Sequence, residues 1–150
     1  MQSARIRALF LRKEVLRMEQ STPSTRIRIG RGIYFLFAAI FALFIIGQVF
    51  SAGMAIFVGA ENWLKHTTLV HIFGFNILVL MLIAAFVGKL PRWGYGYVIG
   101  LAVLVFGMYF SANFTRVAPW VGALHPVLAM VLFIVSVSVV IDTWKLIMKK

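Results

Sequence analysis

With no cysteine in the chain, histidine is the strongest soft ligand available, and disulfides, thiolate metal sites and c-type haem attachment are excluded. There are three histidines, His66, His71 and His125. His71 and His125 each lie a few residues inside an apolar stretch. His71 is six residues past Lys65 and His125 six past Pro119, so at about 1.5 Å per residue both sit roughly 9 Å below the preceding loop. Imidazole is costly in hydrocarbon unless it has a partner, and two at matched depth suggest a bound metal or haem. The expected ligand pair is therefore His71 and His125, one imidazole on each axial face of a b-type haem. Gly74, one turn below His71, and Ala129, one turn below His125, would leave room for a porphyrin.

His66 is rotated about 140° from His71 on a helix, so the two cannot share one ligand face. It has two readings. It is a solvated interfacial histidine, or it joins Lys65 and Arg116 around the mouth of the site, where cations and donors would hold haem propionates. Pro126 adds a structural alternative for His125. The residue before proline disfavours the α region, so the last helix either starts late with His125 as its cap or starts near Trp120 and kinks. Haem, another metal or a proton or quinone site on the same histidines, and no cofactor at all remain open.

The elements that position these residues follow from hydropathy. The 150 residues are 62% hydrophobic and 13% charged, with mean hydropathy +0.96, more apolar than a soluble domain can bury. Four apolar stretches, Ile33–Val58, Thr67–Gly88, Tyr95–Phe114 and Val121–Ile141, are each close to or above the roughly 20 residues that cross a bilayer. Short connectors make neighbours antiparallel. The expectation is an all-α, integral membrane, up-down-up-down four-helix bundle over residues 32–150, preceded by a basic arm over residues 1–31. No internal repeat is evident.

Of the 15 Lys and Arg, only Lys65 and Arg116 fall on the loop side of the histidines. The positive-inside rule places both termini in the cytoplasm of a multi-pass cell-membrane protein. The net charge of +11 then reads as a topology signal with attraction to anionic lipid, not as nucleic-acid binding. In the arm, Ile6, Leu9, Phe10 and Lys13 among arginines form a short basic helix on the leaflet or a disordered segment; alternatively, translation starts at Met18. Gly47, Ser51 and Ala55, and Gly96 and Gly100 followed by Gly107 and Ser111, form small-residue stripes where helices meet. Gln48, Asn76 and Asn113 are polar groups expected to face the bundle interior or one another.

The run from Asn62 to His71 (Asn-Trp-Leu-Lys-His-Thr-Thr-Leu-Val-His), together with Ala123-Leu124-His125-Pro126-Val127, resembles a family of small bacterial four-span membrane proteins of unknown function, over about residues 26–146. The layout is also similar to one four-helix half of haem A synthase, which places a histidine in its second and fourth helices. There the half-motif is Glu-x-x-His followed by Arg, whereas here Glu61 precedes His66 by five residues and Thr67 follows it. The resemblance thus implies ligand geometry only, on His71 or His66 and on His125.

Three histidines on one side cannot hold a haem near each leaflet, which excludes a wire across the bilayer. A single haem exchanging electrons with a quinol, or with a protein partner on the outer face, fits the count. The rival is a non-catalytic membrane accessory protein with structural histidines. No nucleophilic triad, phosphate loop or paired-carboxylate site is present, and Asp142 reads as an interfacial partner for Lys145.

Overall fold

A computed structural model describes residues 6–7, 11–13 and 23–149. Four long helices account for most of them: α1 (Thr25–Phe57), α2 (Asn62–Val87), α3 (Arg92–Phe114) and α4 (Pro119–Met148). Each covers one expected span to within a residue and begins before it, because backbone i→i−4 pairing continues into the headgroup region where Arg, Lys and Trp side chains are at home. α1 accordingly begins at Thr25, so Arg26, Arg28 and Arg31 of the expected arm ride on its first turns. The readings that involve Leu9, Phe10 or a start at Met18 lie outside the described residues.

All four helices are long and apolar enough to cross a membrane. Large apolar side chains such as Leu43, Phe50, Val103 and Phe106 are about two-thirds exposed around the outside, which is the surface lipid covers. The chain is an integral membrane protein.

The helices form a ring in which α1 packs on α2 and α4, and α3 packs on α4 and, most thinly, on α2; the diagonal pairs do not meet. One end carries the termini and the α2–α3 turn, and is called here the terminus end. The other carries the α1–α2 and α3–α4 turns and the three histidines, and is called the histidine end. From the terminus end to mid-bundle runs a close-packed apolar core containing Tyr34, Phe41, Met81, Leu101 and Val139, all essentially inaccessible. Backbones meet there directly: a Cβ on Gly30 would lie 2.6 Å from the Gly88 Cα. The Arg31 Nε donates to the Gly88 carbonyl at 3.2 Å, and the Tyr34 hydroxyl to the Gly94 carbonyl at 2.9 Å.

Three expectations change. Gly47, Gly96 and Gly100 have nothing within 4 Å of where a Cβ would sit, so those parts of the stripes face outward and not a neighbouring helix. Asn76 and Asn113 are exposed and donate to carbonyls one turn back, Ile72 at 2.6 Å and Tyr109 at 2.8 Å; their own helix satisfies them without the bundle interior. α4 starts at Pro119, with proline in its first turn where no N–H is needed, and continues through Pro126, so His125 is inside the helix and is not its cap.

Candidate functional site: twin histidine clamps

Near the start of α2, the His66 Nδ1 lies 3.1 Å from the Ser51 Oγ and 3.1 Å from the Gln48 carbonyl, both on α1. On α4, the His125 Nδ1 lies 3.1 Å from the Ser111 Oγ and 3.1 Å from the Met108 carbonyl, both on α3. The serine hydroxyls donate back to the same carbonyls, at 2.9 Å for Ser51 and 3.0 Å for Ser111. Serine and histidine are 15 residues apart in the first hairpin and 14 in the second. The two hairpins therefore repeat one device, although the sequence shows no repeat.

The chemistry of the device follows from its parts. A serine inside a helix bonds a carbonyl three or four residues back, which commits its hydrogen and presents an oxygen lone pair. The carbonyl only accepts. At His125 the Nδ1 therefore faces two acceptors and must carry the ring proton, leaving Nε2 with its lone pair. This is the form in which a histidine binds metal through Nε2, with the other nitrogen donating to a carbonyl that fixes tautomer and orientation.

At His66 the Gln48 side chain joins in. With its oxygen 2.9 Å from the Val70 N–H, its amide nitrogen lies 2.9 Å from Nδ1 and 3.2 Å from the His66 carbonyl, an arrangement that needs an unprotonated Nδ1. Turned over, the amide oxygen faces Nδ1 and accepts from it. That orientation also sets the amide oxygen against the His66 carbonyl and the amide nitrogen against the Val70 N–H, so it is the less well satisfied of the two. The His66 ring also stands edge-on to Trp63, 5.6 Å between centroids.

His66 and His125 are both half-buried, on the diagonal helices α2 and α4. His71 is placed differently. It is exposed, and its Nδ1 lies 3.1 Å from the hydroxyl of Tyr109 on α3. Counting residues from a loop fixes depth along a helix but not the face, and the 140° between His66 and His71 gives the α1-facing position to His66. The counterpart of His125 is thus His66, where His71 had been expected. Gly74 is buried against α3, a Cβ there meeting Val105 at 3.7 Å and the Tyr109 hydroxyl at 4.0 Å, so its smallness serves helix contact.

The Lys65 Nζ donates to the Asn62 Oδ1 at 2.9 Å, and the Asn62 Nδ2 to the Gly59 carbonyl at 3.0 Å, which ties that lysine to its own turn. Arg116 is exposed in the α3–α4 turn. No group of three or more His, Asp or Glu side chains able to hold a metal ion occurs among the described residues. At the opposite end, the Tyr97 hydroxyl donates to the Asp142 Oδ2 at 2.8 Å, and Lys145 stands 3.5 Å from Oδ1. They line an open groove of about 430 Å³ with Trp93, Gly96, Leu146 and Lys149.

Sequence reasoning missed the Met108 carbonyl and Tyr109 altogether, and saw Ser51 and Ser111 only as small residues. The available signal was a serine 14 or 15 residues ahead of a histidine in both halves.

The family of unknown function DUF6220 matches residues 48–118. Over that stretch the chain is similar to this family. The match begins at Gln48 and takes in the whole first clamp, Met108 and Ser111, and stops before His125. No curated protein and no solved structure matches, and the likeness to haem A synthase gains no support.

Proposed function

We propose that the histidine end holds a b-type haem between His66 and His125, coordinated through their Nε2 atoms. The observation that carries this reading is the pair of matching clamps, each of which orients an imidazole by its Nδ1 and keeps Nε2 out of hydrogen bonds among the described residues. Bound there, haem would supply one-electron chemistry. The chain's contribution is to orient two imidazoles on separate hairpins, to hold His125 in the ligating tautomer, which His66 adopts when the Gln48 amide oxygen faces its Nδ1, and to present Lys65 and Arg116 at the same end for propionates. The charge bias puts this end outside and the termini in the cytoplasm of a cell membrane, with anionic lipid against the basic first turns of α1. Electrons would pass to or from a membrane quinol or an outer-face partner.

Absorption spectra of the purified protein, oxidised and reduced, with haem supplied during expression, test this directly. A low-spin spectrum lost in both His66→Ala and His125→Ala and kept in His71→Ala is the expected result. A colourless protein, or loss of the spectrum in His71→Ala alone, overturns it. One observation favours a second reading, a non-catalytic accessory protein: each clamp also joins the two helices of one hairpin, so the same hydrogen bonds have a structural use without any cofactor.

A further inference from the structure

On the α2–α3 face, the thinnest contact of the ring, an exposed imidazole sits inside a membrane span. His71 lies four residues past Thr67, where the apolar stretch of α2 begins, roughly 6 Å along the helix. A polar group exposed at that depth is costly without a partner. Its Nδ1 has one in the Tyr109 hydroxyl at 3.1 Å, and that hydroxyl also lies 3.3 Å from the Val70 carbonyl. Phe75 stacks on Tyr109, ring centroids 5.9 Å apart and 14° between planes, which gives the polar pair an aromatic shelf.

The single hydroxyl proton of Tyr109 thus has two acceptors, and its choice sets what His71 offers to the lipid side. When the hydroxyl donates to the Val70 carbonyl, the His71 Nδ1–H donates to the phenol oxygen and Nε2 is an acceptor. When the hydroxyl donates to Nδ1, Nε2 carries the proton and is a donor. We infer that His71 and Tyr109 form a lateral binding site for the headgroup of a membrane-dissolved quinone or quinol, entered from the bilayer between α2 and α3. A quinone carbonyl needs a donor and a quinol hydroxyl needs an acceptor, and the two arrangements supply one each; passing between them takes a rotation of the Tyr109 hydroxyl together with loss of a proton from one imidazole nitrogen and uptake of one at the other. The occupant must be lipid-soluble, since the pair is reached from the bilayer side, where Phe75, stacked on Tyr109, is exposed.

A second copy of the chain fits this face less well. The outward-facing small residues on which another helix would pack include Gly100, which lies nine residues before Tyr109 and so half a turn away around α3. The site deepens the electron-transfer reading and takes its redox meaning from it, but headgroup binding does not itself require haem.

The test is photolabelling of the full chain in phosphatidylcholine nanodiscs with an azido-benzoquinone bearing a decyl tail, mapped by mass spectrometry, with the absorption spectrum recorded on the same samples. Adducts are expected on α2 and α3 around Phe75 and Tyr109, removed by excess decyl-benzoquinone in the unsubstituted protein and reduced about ten-fold in both His71→Phe and Tyr109→Phe, the order of one lost hydrogen bond. Adducts spread evenly over the four helices, insensitive to competitor or to both variants, overturn the site. So does cross-linking between copies of an Ile72→Cys variant that blocks labelling, with His71 and Tyr109 left in place. Focused adducts on a colourless protein leave this site standing and end the haem reading, while a low-spin spectrum without focused adducts does the reverse.

Discussion

The terminus end and the histidine end of the bundle are held together by different means. At the first, large side chains fill the space between helices and Gly30 packs directly on the Gly88 backbone. At the second, the buried side chains around the clamps are mostly small or polar, Ser51, Ala55, Asn62 and Ser111, with Val121 the larger apolar one. What joins the helices there is two sets of hydrogen bonds to imidazole Nδ1 atoms. Close packing tolerates no inserted group, since interiors at crystal-like density leave no void. A bundle fastened by hydrogen bonds at its rim and lined with small residues leaves its ring nitrogens available. Close apolar packing is concentrated in one end and side-chain hydrogen bonding to imidazole in the other.

The sharpest way to break that comparison is to exchange the effects. Met81→Ala, at a side chain with no accessible surface, should lower stability by about 2–5 kcal/mol through lost contacts and the cavity left behind, measured by thermal unfolding in detergent, with the histidine end's spectrum unchanged in the protein that remains folded. His66→Ala and His125→Ala should abolish the spectrum yet cost the cofactor-free protein only about 1 kcal/mol each, the net worth of a hydrogen bond. Equal stability losses at the two ends would mean the histidines are core residues, as the accessory-protein reading requires.

A smaller effect tests whether the two clamps are equivalent. Ser51→Ala and Ser111→Ala each remove one acceptor from Nδ1 while the carbonyl stays, so each should cost about 0.5–1 kcal/mol and shift the spectrum without removing it. Ser51→Ala should shift it less, because the Gln48 amide remains beside the His66 Nδ1. Identical shifts would show that Gln48 plays no part in holding that ring.

The same contrast explains what could be read in advance. The spans were legible because twenty-odd apolar residues admit few alternatives in a bilayer, and the bundle followed from short connectors. The depth of His125 was legible for the same reason. Which of His66 and His71 would match it was not, because helical phase is set by packing between α1 and α2, where Ser51 and the Gln48 carbonyl meet the second helix. Gly96 and Gly100 carried a packing signature yet face outward, since periodicity alone cannot say which side of an all-apolar helix finds a neighbour. Asn76 and Asn113 looked like interior polar groups, but a short amide reaches the carbonyl one turn back and needs no other partner.

The smallest expected effect lies in the α2–α3 turn and bears on why the terminus end is well fastened. Lys89 has φ 43, the left-handed region. It follows the last residues of α2 at the position where chains usually place glycine, with the Lys89 N–H on the Phe86 carbonyl at 3.2 Å and the Leu90 N–H on the Ala85 carbonyl at 3.0 Å. A side chain there costs about 1 kcal/mol in Cβ–carbonyl crowding, and the buried Leu90 anchors the turn despite it. Lys89→Gly should therefore raise stability by about 0.5–1 kcal/mol, the relief being partly offset by the extra freedom glycine has when unfolded. The substitution also removes one of the two cations of the middle loop, so the assay must be unfolding of the purified protein and not expression level, which would fold in a change of topology. A fall in stability would show that the Lys89 side chain makes a contact worth more than its backbone strain, and that the terminus end owes part of its strength to the lysine itself.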